Sequence, residues 1–97
     1  MFATRDHYLM AQYLFLSLLS DDNRRLFIED SCIMVQGSAG GLYGIRYGFA
    51  ENVHRMDPYR SYCAHPPVGV GLCEYDAMMA QMFKIVTDEP GFLKVAQ

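Results

Sequence analysis

Cys63, His65 and Cys73 are the residues whose types could hold a metal ion, and they lie within "YCAHPPVGVGLC", residues 62–73. Thiolate and imidazole ligands suit a tetrahedral zinc ion, and Cys32 could supply a fourth ligand. Structural zinc sites usually take ligands in pairs about two to four residues apart, and the sequence has no second pair. We therefore expect no cofactor and interpret Cys32 and Cys73 as small buried side chains. A small structural zinc-binding module is the alternative.

Cys63 and Cys73 are also candidate nucleophiles beside His65. Side chains two positions apart on a strand face the same side, so Cys63 and His65 could meet in one pocket, with Asp76 orienting the imidazole. The sequence contains neither a nucleophile elbow nor a cysteine at a helix start in a known catalytic context. We therefore predict a protein that is not an enzyme.

The glycine-rich stretch "GSAGGLYG", residues 37–44, invites comparison with phosphate-binding loops. It matches neither G-x-x-x-x-G-K-[ST] nor G-x-G-x-x-G, and it precedes an expected strand rather than opening a helix. A hairpin turn between two strands explains the same residues. We predict that turn.

Tyrosines and arginines interleave through the middle of the chain and form the best candidate binding surface. Exposed together, such side chains make either an interaction hot spot or a platform on which bases stack. Strand side chains alternate between the two faces of a sheet, so about half of the set must lie in the core. The predicted surface consists of Tyr43, Arg46, Tyr47, Arg55, Tyr59 and Arg60.

The charge and the cysteine content narrow the classes of function. Eight Lys and Arg against eleven Asp and Glu give a net charge of −3, whereas nucleic-acid binding usually needs a dense basic face. The most apolar run, residues 8–19, is interrupted by Gln12 and Ser17 and falls short of the roughly 20 residues that cross a bilayer. An odd number of cysteines and no recognisable signal peptide favour a reduced, cytoplasmic protein that binds neither nucleic acid nor membrane.

The length of 97 residues suits one domain, residues 1–97, with a single core. Thr4 as a cap and Asp6 in the first turn predict an N-terminal helix over residues 4–19. This helix is apolar on nearly every face, so it is either wrapped by the chain or shared with another subunit. We expect it to bind a protein partner or to mediate self-association. A short second helix is predicted over residues 21–30, with a strand as the alternative.

Short apolar and aromatic runs predict a three- or four-stranded antiparallel meander over residues 31–65, with a turn at Asp57–Pro58. Pro66 and Pro67 remove two backbone donors and would end the last strand. The glycines that follow would let the chain turn into a C-terminal amphipathic helix that starts near Leu72 or Cys73.

The C-terminal helix is expected to pack across the sheet. Its apolar positions at helical spacing are Leu72, Tyr75, Met79, Met82, Phe83 and Val86. Its polar side is predicted to hold Glu74, Asp76, Gln81 and Lys84. Thr87 or Asp88 is predicted to cap a last helical turn. The predicted fold class is therefore α+β, in which an apolar helix, a short helix and a meander precede this amphipathic helix.

The stretch from Cys63 to Leu93 carries a set of short motifs. They are C-A-H-P at its start, D-A-M-M-A-Q from Asp76, D-E from Asp88 and F-L from Phe92. This pattern is similar to that of small uncharacterised proteins of bacterial, prophage and phage origin. The resemblance implies a compact accessory domain and brings no catalytic residues with it. A phage-type origin implies a protein that binds and modulates or inhibits a host complex, as anti-CRISPR-like inhibitors do.

Overall fold

The structure, a computed structural model, describes residues 5–48, 51–56, 59–62 and 73–96. Its elements in chain order are α1 (Arg5–Leu18), α2 (Asp21–Asp30), β1 (Cys32–Gln36), β2 (Leu42–Arg46), β3 (Val53–Met56), β4 (Tyr59–Tyr62) and α3 (Glu74–Val95). The strands pair antiparallel in the order β1-β2-β3-β4. The predicted α+β fold, with its second helix and its meander, is confirmed.

Several predictions fall outside the described residues. Thr4, the turn at Asp57–Pro58 and the loop over residues 63–72 are among them. The roles suggested for Cys63 and His65, as metal ligands or as a nucleophile with its base, therefore stay predictions. The same holds for the part that the prolines and glycines of the loop play in ending the last strand.

The second helix begins and ends at local signals that the sequence carries. Ser20 is the N-cap, and its hydroxyl accepts a hydrogen bond from the backbone N–H of Asn23 at 3.2 Å. Asp21 follows in the first turn, where the helix dipole favours negative charge. Ser31 ends the helix in the left-handed conformation, and its N–H donates to the Phe27 carbonyl at 2.8 Å. The strand alternative for this segment is therefore wrong.

The register of the sheet divides its side chains between a core-facing side and an outer side. The buried residues on the core-facing side are Ile33, Val35, Tyr43, Ile45, Val53 and Tyr62. The outer edge of β1 is covered by α2, because the Asn23 amide both donates to the Met34 carbonyl and accepts from the Met34 N–H, each at 2.9 Å. This pairing occupies backbone groups that would otherwise be open to another strand.

The C-terminal helix is kinked at Asp88, whose backbone angles are not helical (φ −153°, ψ 67°). The Asp88 carboxylate accepts a hydrogen bond from the N–H of Gly91 at 3.1 Å, so it caps the last segment as predicted. Pro90 fits there, because an N–H in the first turn has no partner within its own helix. The helix contacts β1, β2 and α1.

The buried face of α3 differs from the predicted one. Its buried residues are Tyr75, Ala77, Met78, Met79, Gln81, Met82, Ile85, Glu89 and Phe92. Phe83 and Val86 are about half exposed, whereas Gln81, expected on the polar side, is buried. Gln81 is tolerated inside because its side-chain amide pairs with that of Asn52 through hydrogen bonds of 2.8 and 3.1 Å. Because α3 packs against both the sheet and α1, its buried sector is wider than one stripe.

The first helix is buried along one side. Ala11 and Phe15 lie inside, and the Phe15 ring meets the Phe27 ring edge-on with centroids 5.1 Å apart. Among the described residues, the chain therefore covers only one side of this helix. Over the residues that the structure describes, no helix combines the length and the apolar character needed to cross a bilayer.

Candidate functional site

The glycine-rich turn between β1 and β2 holds an internal carboxylate. Glu89 is only 2% exposed, and it accepts hydrogen bonds from the backbone N–H of Ala39 at 2.9 Å and of Gly41 at 3.2 Å. The Tyr43 hydroxyl donates to the same carboxylate at 2.6 Å. A Cβ atom at Gly37 or Gly41 would overlap the Glu89 side chain, which explains both glycines. The hairpin interpretation of "GSAGG" is confirmed, and the amides of the turn bind the protein's own anion.

The electrostatics of this turn keep Glu89 ionised. Burial alone would raise the pKa of Glu89, but hydrogen bonds from Tyr43 and from the two turn amides outweigh it and hold that pKa below its ordinary value of 4.5. The positive charge of Arg55 acts in the same direction. Burial, and then the bond to Glu89, raises the pKa of Tyr43. The pair is thus a carboxylate with a neutral phenol donor, and it stabilises the hairpin.

The residues of the predicted tyrosine–arginine surface do not form one surface. Tyr43 is fully buried, which corrects the prediction, because its side chain lies on the core-facing side of β2. Tyr47 is half-buried, and its ring lies 5.3 Å from that of Tyr75. Arg55 and Arg60 are cross-strand partners on the same side as Tyr43. Arg55 is half-buried there, whereas Arg60 is exposed.

The outer side of the sheet carries the other two members, Arg46 and Tyr59, both exposed. Tyr59 stacks on His54 with ring centroids 5.8 Å apart, and its hydroxyl lies 2.9 Å from His54 Nδ1. The Ser61 hydroxyl lies 3.2 Å from the same nitrogen. The exposed members of the predicted surface are therefore Arg46, Tyr59 and Arg60, and they lie on two different sides of the sheet.

A cluster of three tyrosines fixes the position of α1. The Tyr75 ring makes edge-to-face contacts with the rings of Tyr8 and Tyr47, with centroid distances of 5.2 and 5.3 Å respectively. The hydroxyls of Tyr8 and Tyr47 are 2.8 Å apart, and the Gln12 amide donates to the Tyr75 hydroxyl at 3.0 Å. Burial, followed by the hydrogen bond with Tyr8, raises the pKa of Tyr75 to about 12. These contacts determine which side of α1 faces α3 and which side faces solvent.

The solvent side of α1 carries five exposed large apolar side chains. They are Leu9, Met10, Tyr13, Leu14 and Leu18, which are exposed by 48%, 70%, 74%, 50% and 46% respectively. We call these five residues the apolar α1 face. Beside it lies an open cavity of about 360 Å³, whose lining includes Met10, Tyr13 and Leu14 together with the polar residues His7 and Asp76. The apolar α1 face therefore adjoins a polar corner.

That polar corner brings together three side chains that could bind a metal. His7 Nε2 lies 2.7 Å from Asp76 Oδ2, and the Cys73 thiol donates to the same oxygen at 3.4 Å. Asp76 also accepts the backbone N–H of Cys73 at 3.1 Å and so caps α3. Burial acts to raise the pKa of Asp76, yet the hydrogen bonds from His7 and Cys73 outweigh it and lower that pKa below 3.8.

The two described cysteines, Cys73 and Cys32, lie in different surroundings. Burial raises the pKa of Cys73, which is 3% exposed, so its thiolate is disfavoured. Cys32 lies half-buried on β1, and within the described ranges it is not part of the cluster with His7 and Asp76. Of the predicted metal set, the structure thus places Cys73 beside other ligand types and Cys32 apart from them.

Sequence reasoning did not identify His7 as a member of this cluster. It lies 69 residues from Asp76 along the chain, and only the packing of α1 against α3 brings the two together. Glu89 was missed for a similar reason, because its partners are turn amides some 50 residues away. Neither residue has a local motif that marks it.

Comparison with known proteins gave no match for this chain among family models, curated proteins or solved structures.

Proposed function

We propose that this chain is a non-enzymatic protein-interaction protein that docks on its partner through the apolar α1 face. The observation that carries the proposal is the exposure of five large apolar side chains on one side of a helix whose other side is anchored in the core. Because these side chains still expose between 46% and 74% of their surface, burying the rest of each in a partner would contribute about 1–2 kcal/mol. An interface built on this face gains its affinity mainly from apolar contact.

The spacing of the face fits recognition of a helix by a groove. Met10, Leu14 and Leu18 are four residues apart and form one row, while Leu9 and Tyr13 form the adjacent row. Met10 and Tyr13 are the most exposed of the five. Methionine adapts to irregular partners, and tyrosine is common among residues that dominate binding energy. A partner with an apolar groove is the complement that this face requires.

The finer assignment is a phage or mobile-element accessory protein that binds and modulates or inhibits a host protein complex. It is supported by the resemblance of the segment from Cys63 to Leu93. Self-association through the same face is the other form that docking can take. Both forms require the side chains of α1 and do not require the outer side of the sheet.

Affinity capture with matched variants tests this function. We expect the chain to recover a host protein, or a second copy of itself, and the variant Met10→Glu with Tyr13→Glu to lose it. The control Leu42→Glu with Tyr59→Glu changes two exposed apolar residues on the sheet and should bind as the wild type does. Binding that survives in the α1 variant, or that is lost only in the sheet variant, would contradict the proposal.

A further inference from the structure

Three side chains of metal-binding type converge from two distant parts of the chain. His7 lies in the first turn of α1, Cys73 is the N-cap of α3, and Asp76 lies in the first turn of α3. A ring nitrogen, the thiol sulfur and a carboxylate oxygen all lie within 4.8 Å of one another. We propose that His7, Cys73 and Asp76 bind one zinc ion.

The donor set selects this class of ion. Nitrogen, sulfur and oxygen donors together suit Zn²⁺, which takes histidine, cysteine and aspartate at bond lengths of about 2.0–2.3 Å. Magnesium and calcium prefer oxygen ligands and would not gain from a thiolate. Three protein ligands leave the fourth tetrahedral position to water. The adjoining cavity, lined by His7 and Asp76, gives that position access to solvent.

Two distances in the cluster can be compared with those that a bound ion needs, and the ligand atoms of His7 and Cys73 lie within 4.8 Å of each other. Ligand atoms on a tetrahedral zinc ion are about 3.3–3.7 Å apart, as follows from its bond lengths. Cys73 Sγ and Asp76 Oδ2 are already 3.4 Å apart. His7 Nε2 and Asp76 Oδ2 are 2.7 Å apart, so the ring must withdraw by about half an ångström. The His7 side chain is 44% exposed, which leaves room for this small movement. Ligation converts the Cys73 thiol to a thiolate and releases its proton to solvent.

Helix capping accounts for only part of this arrangement. The Asp76 carboxylate caps the start of α3 by accepting a hydrogen bond from the Cys73 N–H. The cap does not need an imidazole, yet α1 brings His7 to the same carboxylate oxygen. An ion at this point would join the start of α1 to the start of α3, beside the apolar α1 face.

Titration of the purified full chain with Co²⁺ and Zn²⁺ tests the proposal, because Co²⁺ reports tetrahedral thiolate ligation in its absorption spectrum. We expect one Co²⁺ per chain, a sulfur-to-cobalt charge-transfer band, and displacement of the cobalt by Zn²⁺. The variants His7→Ala and Asp76→Asn should each weaken binding by at least about tenfold, since even residues that only support a ligand contribute about 10- to 100-fold. Cys73→Ala should abolish the charge-transfer band.

Two controls separate this site from other sources of binding. Cys32→Ser removes a half-buried thiol outside the cluster and should leave the spectrum unchanged. The double variant Cys63→Ser with His65→Asn removes the ligands predicted in the loop and should also bind Co²⁺ as the wild type does. Circular dichroism without metal tests whether each variant is folded. We expect His7→Ala to keep the fold, because His7 is exposed.

The proposal is overturned if the wild type gives no thiolate band at one equivalent of Co²⁺. It is overturned equally if His7→Ala keeps the affinity of the wild type. Loss of the band in the Cys63 and His65 double variant, together with its retention in His7→Ala, would place the ion in the loop instead.

Discussion

Replacing Glu89 with alanine should destabilise the fold strongly, because this carboxylate joins α3 to the β1–β2 turn. In the variant, the backbone N–H groups of Ala39 and Gly41 lie near the surface and can form hydrogen bonds with water instead. The hydroxyl of the fully buried Tyr43 cannot. An unsatisfied buried hydroxyl costs about 1–3 kcal/mol, and a lost bond to a charged acceptor about 1.5–3 kcal/mol. Both figures describe the same Tyr43–Glu89 bond, so we expect a loss of about 2–3 kcal/mol, a large part of the ~5–15 kcal/mol that stabilises a typical domain.

Protonation of Glu89 should lower the free energy of unfolding by part of the amount expected for Glu89→Ala. Its pKa in the folded protein lies below the ordinary 4.5, so the folded state binds the proton less tightly than the unfolded chain does. The stabilisation is complete above about pH 4.5 and is lost as the pH falls through the folded-state pKa. Glu89→Gln cannot titrate at this position, so its stability should be lower by about 1–3 kcal/mol at neutral pH and should fall less steeply in acid.

Urea unfolding, followed by tyrosine fluorescence between about pH 3.5 and 7, measures both effects. Glu29→Gln is the matched control, because Glu29 is an exposed residue on α2 whose replacement should change stability by less than about 0.5 kcal/mol. The reasoning is refuted if Glu89→Ala costs less than about 1 kcal/mol. It is refuted also if Glu89→Gln follows the pH profile of the wild type.

Two further substitutions test the packing of α1 and α2. Phe15→Ala should cost about 3–5 kcal/mol in urea unfolding because the ring has no exposed surface, whereas Tyr13→Ala on the opposite side of α1 should cost less than about 0.5 kcal/mol. Equal stabilities of these two variants would contradict the orientation of the helix. Asn23→Ala should cost about 1–3 kcal/mol and accelerate hydrogen exchange at the Met34 amide, since both backbone groups of Met34 lose their partner. Arg25→Ala on the exposed side of α2 should leave that exchange rate unchanged.

The order and type of the elements could be predicted from the sequence because their signals are local. Ser20 and Asp21 mark the start of α2, and Asp88 marks the cap of the last segment of α3. The change from helical to strand-like spacing after residue 31 predicts the meander, and "GSAGG" predicts its first turn. Each of these signals acts within a few residues of the structure that it determines.

Which side chains of each helix and strand are buried could not be predicted in the same way, because burial depends on contacts between residues far apart in the sequence. Gln81 lies in the core, where Asn52, 29 residues earlier, supplies a complementary amide. Tyr43 lies in the core, where Glu89 of α3 accepts its hydroxyl hydrogen bond from 46 residues away. His7 joins Cys73 and Asp76 through the crossing of α1 and α3, and no spacing in the sequence encodes that crossing.

Photo-crosslinking from α1 in native host cells tests the central claim most directly. A photoreactive p-benzoylphenylalanine replaces Tyr13 in one version of the chain and Tyr59 in another; both positions are highly exposed, one on α1 and one on the sheet. The account predicts a discrete cross-linked product from position 13, either with a host protein or with a second copy of the chain, and none from position 59. A product from position 59 together with none from position 13 would contradict it.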